Sequence, residues 1–139
     1  MYVVDAADKI AGRMAARIAK RLLKGDEIAI INAEKSVING DPYYTLDLFK
    51  QKTQRGDAYH GPFYPKTADG MLRRIIRGML PRRTARGKAA FRRLTVHIGV
   101  PANLEGTERK DIGAKRRGAG KNISLGILTQ RLTGREYDG

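Results

Sequence analysis

The sequence predicts an α/β fold: a three-layer α/β/α sandwich with a mostly parallel central sheet, followed by a basic, extended C-terminal arm. Strand-like apolar runs alternate with segments of helical periodicity along most of the chain. The run Glu27–Ala33 is almost wholly apolar, which is typical of a parallel strand buried on both faces. A strand, a helix and this second strand fit into the first 33 residues, the size of a right-handed βαβ unit.

The predicted fold begins with a strand and a helix. Tyr2–Ala6 contains a pair of β-branched residues, which favours a strand. In the segment that follows, apolar side chains recur at every fourth position, as in an amphipathic helix: Ile10, Met14, Ile18 and Leu22. Gly25 is placed to end this helix, because glycine readily adopts the left-handed conformation found there.

A third strand and a second helix are predicted next. Lys35–Gly40 is a short strand that turns at its final glycine. Asp41 is suited to cap a helix over Pro42–Lys52, since proline is tolerated at the first helical position. Residues 53–66 contain two glycines and two prolines and predict an irregular segment.

Two capped helices and a strand complete the regular part of the prediction. Thr67 caps a helix over residues 68–80, and Thr84 caps a shorter one that reaches Phe91. Leu94–Gly99 is a further strand. The buried side of the longer helix is expected to consist of Met71, Leu72, Ile75 and Met79.

Beyond Pro101 the periodicity weakens. Residues 108–122 are charged and rich in glycine, which predicts an arm that becomes ordered only on contact with a partner. A last short helix is expected within residues 123–134, with Leu125, Leu128 and Leu132 on one side. The expected organisation is therefore a domain over residues 1–101 and a basic extension with a short terminal helix over 102–139.

Charge is the most informative feature of the composition. The net charge is +14, from 28 basic and 14 acidic residues, and residues 66–139 alone hold eighteen basic and six acidic ones. The 22 residues from Arg73 to Leu94 contain nine Lys and Arg and no acidic residue. Such imbalance indicates a polyanionic partner, although a merely soluble basic surface stays open at this point. Arginine outnumbers lysine, 17 to 11, and its planar guanidinium binds phosphate in a bidentate way.

The composition argues against several classes of protein. With no cysteine, the chain has neither disulfides nor a thiolate zinc site, which favours a reducing, intracellular setting. The N-terminal residues include acids where a secretory signal has a basic start, and no apolar run approaches the ~18 residues of a membrane span. We therefore expect a soluble, cytoplasmic protein.

No catalytic or cofactor motif is complete. The dinucleotide fingerprint G-x-G-x-x-G fails because only Gly12 is present after the first strand, and a phosphate-binding P-loop fails at Lys115 and Asn122. His97 is interpreted as a core or strand-end residue, and Asp5 is interpreted as structural. We expect no cofactor, no metal and no small-molecule substrate.

Four segments in this order resemble one family: YVVDA, GRMAARIAKRLLKG, INAEK and RGMLPRRTARGKAAFRRLTVHIG. They are similar to the universal large-subunit ribosomal protein number thirteen, and the loop RGDAYHGPFYPK resembles its archaeal and eukaryotic branch. The resemblance implies a three-layer α/β/α domain that is not an enzyme and that supports assembly of the large ribosomal subunit in the cytoplasm. It implies large-subunit ribosomal RNA and neighbouring ribosomal proteins as partners, and no membrane.

The candidate RNA-binding residues are cations expected on the surface, together with one loop histidine. The main cluster is Arg82, Arg83 and Arg86, in a loop that leads to a helix N-terminus suited to an anion. Gly87 is expected to let the main chain approach a phosphate. The full candidate set is Arg13, Arg17, Arg21, Lys35, His60, Lys66, Arg74, Arg77, Arg82, Arg83, Arg86, Lys88, Arg92, Arg93, Arg116, Arg117 and Lys121.

Some interpretations stay open on the sequence alone. The helix stripe Arg13, Arg17 and Arg21 is either a second contact or a solvated face. The loop aromatics Tyr59, Phe63 and Tyr64 either stack on bases or fix the loop to the domain. The alternatives for the whole protein are another basic nucleic-acid-binding protein, one that binds an anionic membrane, or a nucleotide-dependent enzyme.

Overall fold

A computed structural model describes residues 2–54, 65–110, 112–114 and 120–133. Three parallel strands form the central sheet in the order β1–β2–β4: Tyr2–Asp5 (β1), Ile28–Ile31 (β2) and Leu94–Val96 (β4). Val4 lies beside Ile30, and Ile30 beside Val96. The predicted α/β class with a mostly parallel sheet is confirmed.

Within the described ranges, five α-helices accompany the sheet: Ala11–Leu23 (α1), Pro42–Gln54 (α2), Ala68–Gly78 (α3), Ala85–Arg92 (α4) and Leu125–Thr133 (α5). Both predicted threonine caps are confirmed. The Thr67 Oγ1 accepts a hydrogen bond from Gly70 N at 3.3 Å, and the Thr84 Oγ1 accepts one from Gly87 N at 3.1 Å. Each cap satisfies a backbone N–H that has no partner within the helix.

The main core lies between one face of the sheet and the helices. Its centre is formed by fully buried apolar side chains of β2 and the first and third helices: Met14, Ile18, Leu22, Ile28, Ile30, Met71, Leu72 and Ile76. The expected buried side of α3 is wrong in part, because Ile76 is buried whereas Ile75 is half-buried and Met79 is exposed. The contact of α3 with α1 determines which side of α3 is buried, and the spacing of apolar residues within α3 does not specify that side.

The opposite face of the sheet carries a second, smaller core. Val3, Ala29 and Ile31 point to this side, as expected from the alternation of side chains along strands. Leu104 covers them from a short 3-10 helix, Ala102–Leu104, together with the half-buried Val100. The chain beyond Pro101 is thus packed on the sheet at this point.

Two further strands form a separate antiparallel pair: Val37–Asn39 (β3) and Asn122–Ser124 (β5). The predicted third strand is confirmed, but the expectation of a helix from Ile123 onward is wrong for the first residues. Ile123 pairs with Ile38, and the helix begins only at Leu125. Ile123, Leu125 and Leu128 belong to the main core. The proposed division at residue 101 stays a prediction.

Residues 109, 110, 112 and 114 form hydrogen bonds with residues of the N-terminal strand and helix region. The sequence predicts instead an arm that becomes ordered only on contact with a partner. Lys110 N donates to Val3 O at 2.8 Å along the outer edge of β1. The Arg17 guanidinium donates to Ile112 O at 2.8 Å, and Ile10 N donates to Ala114 O at 2.9 Å. All three contacts use main-chain groups of this segment, which hydrophobic periodicity in the sequence does not predict. Residues 115–119 lie outside the described part.

The Asp5 carboxylate joins three parts of the chain at the end of β1. It accepts hydrogen bonds from Ala7 N, from the side-chain amide of Asn32 and from the Arg109 guanidinium, at 2.8–3.0 Å. Burial of the carboxyl raises its pKa, whereas the hydrogen bonds from Ala7 and Asn32 lower it. The positive charges of Arg109 and Lys9 lower the pKa further, and the net result lies below the usual value for Asp.

This lowered pKa predicts a pH dependence of stability. A carboxyl with a depressed pKa in the folded state stabilises the fold above its unfolded value and loses that contribution as the pH falls through the folded value. We expect Asp5→Asn to be less stable than the original chain at pH 7, and the difference to shrink below about pH 4. Urea unfolding between pH 2.5 and 7 measures this, and Asp47→Asn, on the exposed side of α2, is the control. A difference in unfolding free energy between Asp5→Asn and the original chain that stays constant with pH would contradict the lowered pKa of Asp5.

Candidate nucleic-acid interface

α3 and α4 bring their basic side chains to one surface. Two shallow clefts lie side by side there and share Arg77 and Phe91 as lining residues. The first is lined by α3 and the second extends to α4 and the turn before it. We call their cationic lining the basic face: Arg73, Arg74, Arg77, Arg82, Lys88 and Arg92.

The charges of the basic face repel one another. Burial lowers the pKa of the Arg77 guanidinium, and the neighbouring positive charges of Arg74 and Arg82 lower it further. The guanidinium stays protonated at neutral pH in spite of this, because arginine does not lose its proton in proteins. Among the described residues, the side chains of Arg82, Lys88 and Arg92 have no hydrogen bond or ion pair to another group. Anionic groups from outside the chain would therefore relieve this repulsion.

Phe91 places an aromatic ring in the wall between the two clefts. The Arg73 guanidinium carbon lies 4.8 Å from the centre of this ring, a cation–π contact. Phe91 also packs against the main core, and this packing holds the ring in place. The contact orients Arg73 along the surface, which makes it part of the site although the candidate set omitted it.

The turn between α3 and α4 is held by a compact set of hydrogen bonds. The Pro81 carbonyl accepts from Thr84 N at 3.0 Å and from the Thr84 hydroxyl at 2.8 Å, while Arg82 N donates to Leu80 O. A Cβ atom on Gly87 would overlap the carbonyl oxygen and carbon of Pro81. The close approach that Gly87 allows is therefore to the turn itself, and it fixes the backbone from which Arg82 projects.

Gly87→Ala should disturb this turn. Because the new methyl group meets backbone atoms that cannot rotate away, we expect a loss of about 1–3 kcal/mol in the free energy of unfolding. Gly78→Ala is the matched control, since nothing lies within 4 Å of a Cβ at that position. There the expected change is small or slightly stabilising, about 0.5 kcal/mol. Urea titration of both variants measures the difference, and equal midpoints would refute the steric explanation.

Arg86 and Arg93, two candidate RNA ligands, contact the protein itself. The Arg86 Nη2 donates to Leu23 O at 3.2 Å, and the Arg93 Nη2 donates to Leu22 O at 2.6 Å. These carbonyls belong to the last two residues of α1, and Leu22 O also accepts from Gly25 N at 3.1 Å, so the two arginines join α4 and the residue after it to the C-terminal end of α1. A structural contribution is therefore present at both positions. Arg83 is exposed on the turn.

The stripe on α1 forms a second basic surface. Its cleft is lined by Arg17, Lys20, Arg21, Lys24 and the apolar Ile112. The structure thus brings Arg17 and Arg21 together and adds two lysines that the candidate set omitted. Arg21 also lies 3.7 Å from the Asp26 carboxylate and 5.1 Å from the centre of the Tyr2 ring. Arg13 is exposed on the same helix but does not line this cleft.

The remaining candidates are scattered over the described surface or lie outside it. Lys35 is exposed in a 3-10 helix, and Lys66 is exposed just before the cap of α3. The Lys121 ammonium lies 4.0 Å from the Asp41 carboxylate. The described residues do not include His60, Arg116 and Arg117, nor the loop aromatics Tyr59, Phe63 and Tyr64.

In the part of the chain that the structure describes, no group of three or more His, Asp or Glu side chains is arranged to hold a metal ion. No α-helix among these residues has the length and apolar character needed to cross a bilayer.

Comparison with known proteins gives one consistent family. The family model described as "Ribosomal protein L13" matches residues 1–103. A protein of Methanosarcina barkeri named "Large ribosomal subunit protein uL13" is 44% identical over 136 residues, which are 95% of this chain and 97% of that protein. The proteins of the same name from Methanopyrus kandleri and Archaeoglobus fulgidus are 43% and 46% identical, over 94% and 79% of this chain and 85% and 70% of their own lengths.

Proposed function

This chain belongs to the ribosomal protein L13 family, and we propose that it binds large-subunit ribosomal RNA through phosphate contacts made mainly by its basic face. It is a structural constituent of the large ribosomal subunit in the cytoplasm, and it is not an enzyme. In this proposal the body of residues 1–101 carries the main RNA contact, the basic extension of 102–139 adds to it, and binding supports subunit assembly.

One observation carries the proposal: the six cations of the basic face line adjoining clefts within residues 70–104, which hold no acidic residue. Phosphates of a folded RNA backbone neutralise such a cluster, and the release of their counterions supplies the free energy of binding. Contacts of this kind fix position and orientation and discriminate little between sequences. Recognition of one RNA site then depends on the shape of the RNA at the clefts.

The α1 cleft is the proposed second contact. Four cations line it, which favours a further RNA backbone segment over a merely solvated helix face. Its charges are partly engaged, since Arg17 binds Ile112 O and Arg21 lies near Asp26. We therefore assign it the smaller share of the binding free energy. Arg13, Lys35, Lys66, Arg83 and Lys121 are exposed and are proposed as peripheral contacts.

Binding to matched polyanions tests this function against its alternatives. The full chain is titrated with large-subunit ribosomal RNA, with a DNA duplex of equal charge and with anionic lipid vesicles, each over a range of salt concentrations. We expect the ribosomal RNA to bind most tightly and to keep its advantage at physiological salt. Equal affinity for the duplex would favour a general nucleic-acid-binding protein, and preference for vesicles would favour a membrane-surface protein.

A further inference from the structure

α2 exposes an apolar surface on a molecule that is otherwise basic. The side chains of Tyr43 and Tyr44 are 75% and 70% exposed, and Leu48 is 38% exposed. Tyr43 and Asp47 are four residues apart, as are Tyr44 and Leu48, so each pair lies on the same side of the helix. We call this surface the α2 face: Tyr43, Tyr44, Asp47 and Leu48.

The α2 face is held in this orientation by the rest of the helix. Asp41 Oδ1 accepts a hydrogen bond from Tyr43 N at 2.9 Å, which fixes the first turn. On the opposite side of α2, Thr45 and Phe49 are buried, and Phe49 is part of the main core. Rotating the helix to bury the tyrosines would expose Phe49. The two rings are consequently presented outward by the packing of the helix.

The charge around these rings differs from that of the rest of the chain. Residues 36–49 contain two acidic residues, Asp41 and Asp47, and no Lys or Arg, in a chain with a net charge of +14. Lys121 already lies 4.0 Å from Asp41, and Lys50 follows Asp47 by three residues on the same side of the helix, so Asp47 is the carboxylate that a partner meets between the rings. At 100° per residue, Asp47 falls between Tyr43 and Tyr44 around the helix. A phosphate placed on this face would meet a carboxylate, whereas a cation would be attracted by the carboxylate and by both rings.

We propose that the α2 face binds a lysine- and arginine-rich segment of a neighbouring large-subunit protein. Guanidinium or ammonium groups of that segment lie over the tyrosine rings and pair with Asp47, while their aliphatic stems cover Leu48. Tyrosine is enriched at protein interfaces because it offers a large apolar area together with a polar hydroxyl. This inference rests on the proposed ribosomal function, since it takes its partner from within the subunit.

Site-specific photocrosslinking inside the assembled subunit tests the α2 face. The full chain is expressed with p-benzoylphenylalanine in place of Tyr44, large subunits are purified and irradiated, and the crosslinked partner is identified by mass spectrometry. The same photoreactive residue in place of Lys88, on the basic face, is the matched control. We expect Tyr44 to yield a lysine- or arginine-rich peptide of another subunit protein, and Lys88 to yield RNA.

The possible outcomes separate this inference from the proposed function. If the Lys88 probe yields RNA while the Tyr44 probe yields RNA, a peptide without Lys or Arg, or no product, the inference is overturned and the function stands. If the chain is absent from the purified subunits, both fall. Adding Asp47→Lys to the Tyr44 probe should lower the peptide yield, on the order of fivefold, because like charges then oppose each other. An unchanged yield would also count against the inference.

Discussion

Replacing Arg82, Lys88 and Arg92 together by Ser should weaken binding to large-subunit ribosomal RNA about 100-fold near 0.1 M salt, if each side chain neutralises one phosphate. Each lost contact removes the release of nearly one counterion, so the slope of log K against log salt should flatten by about two to three in total. All three side chains are exposed, and within the described structure none of them bonds to another group, so the fold should be unaffected.

A matched variant separates this local effect from the loss of net charge. Lys50, Lys52 and Arg131 lie on α2 and α5 and do not line the clefts of the basic face, and replacing them by Ser removes the same number of positive charges. We expect less than about a threefold loss of affinity from that variant, because long-range attraction is screened at this salt concentration. Equal losses from the two triple variants would show that only net charge matters, and the basic face would then be dismissed as the main contact.

The choice of residues in this experiment follows from the structure. Sequence reasoning places Arg82, Arg83 and Arg86 at the centre of the contact. Arg86, however, donates to Leu23 O, and its removal would leave a carbonyl at the end of α1 without this cap. A loss of binding in an Arg86 variant would therefore combine a change in packing with a change in charge, whereas Arg82, Lys88 and Arg92 report on charge.

Leu128→Ala should lower the free energy of unfolding by about 3 kcal/mol, since truncation of a fully buried leucine removes apolar contacts and leaves a cavity. Leu128 has no exposed surface and belongs to the main core although it lies near the end of the described chain. Ile127→Ala is the control on the same turn of α5, because that side chain is 46% exposed and its truncation should cost below about 1 kcal/mol.

Urea unfolding of the two variants gives the measurement. A Leu128→Ala protein as stable as Ile127→Ala would mean that α5 does not complete the core in solution. In that case residues 102–139 would behave as an independent extension. A large loss in a single cooperative transition would instead show that the domain boundary predicted at residue 101 does not separate two folding units.

Local chemistry explains which elements were predictable. The β1–α1–β2 unit follows from apolar runs and a four-residue periodicity, and the caps at Thr67 and Thr84 follow from hydroxyl groups that precede helical segments. The pairing of β3 with β5 depends on residues that are far apart in the chain, and nothing within Asn122–Ser124 specifies it. The rotation of α3 likewise depends on its neighbour α1.

The positive charge of the candidate interface is predictable from the sequence, whereas the contacts of its individual side chains are not. The absence of acidic residues between Arg73 and Leu94 predicts a cationic surface from the sequence alone. Sequence alone does not reveal that Arg93 reaches Leu22 O, because the two residues are far apart in the chain. The sequence also does not predict that Lys20 lines a cleft, which depends on how the segment around Ile112 packs beside α1. Nor does it predict that Arg73 lies over Phe91, which depends on how α3 and α4 pack.

The pairing of β3 with β5 has a consequence for synthesis of the protein. Val37 is translated well before its partner Ser124, so the nascent chain cannot form this strand pair until the β5 segment has been made. Such long-range closure is slow and leaves apolar surface exposed in the meantime. We expect the nascent polypeptide to keep part of its core open, and accessible to chaperones, until the β5 and α5 segments have emerged.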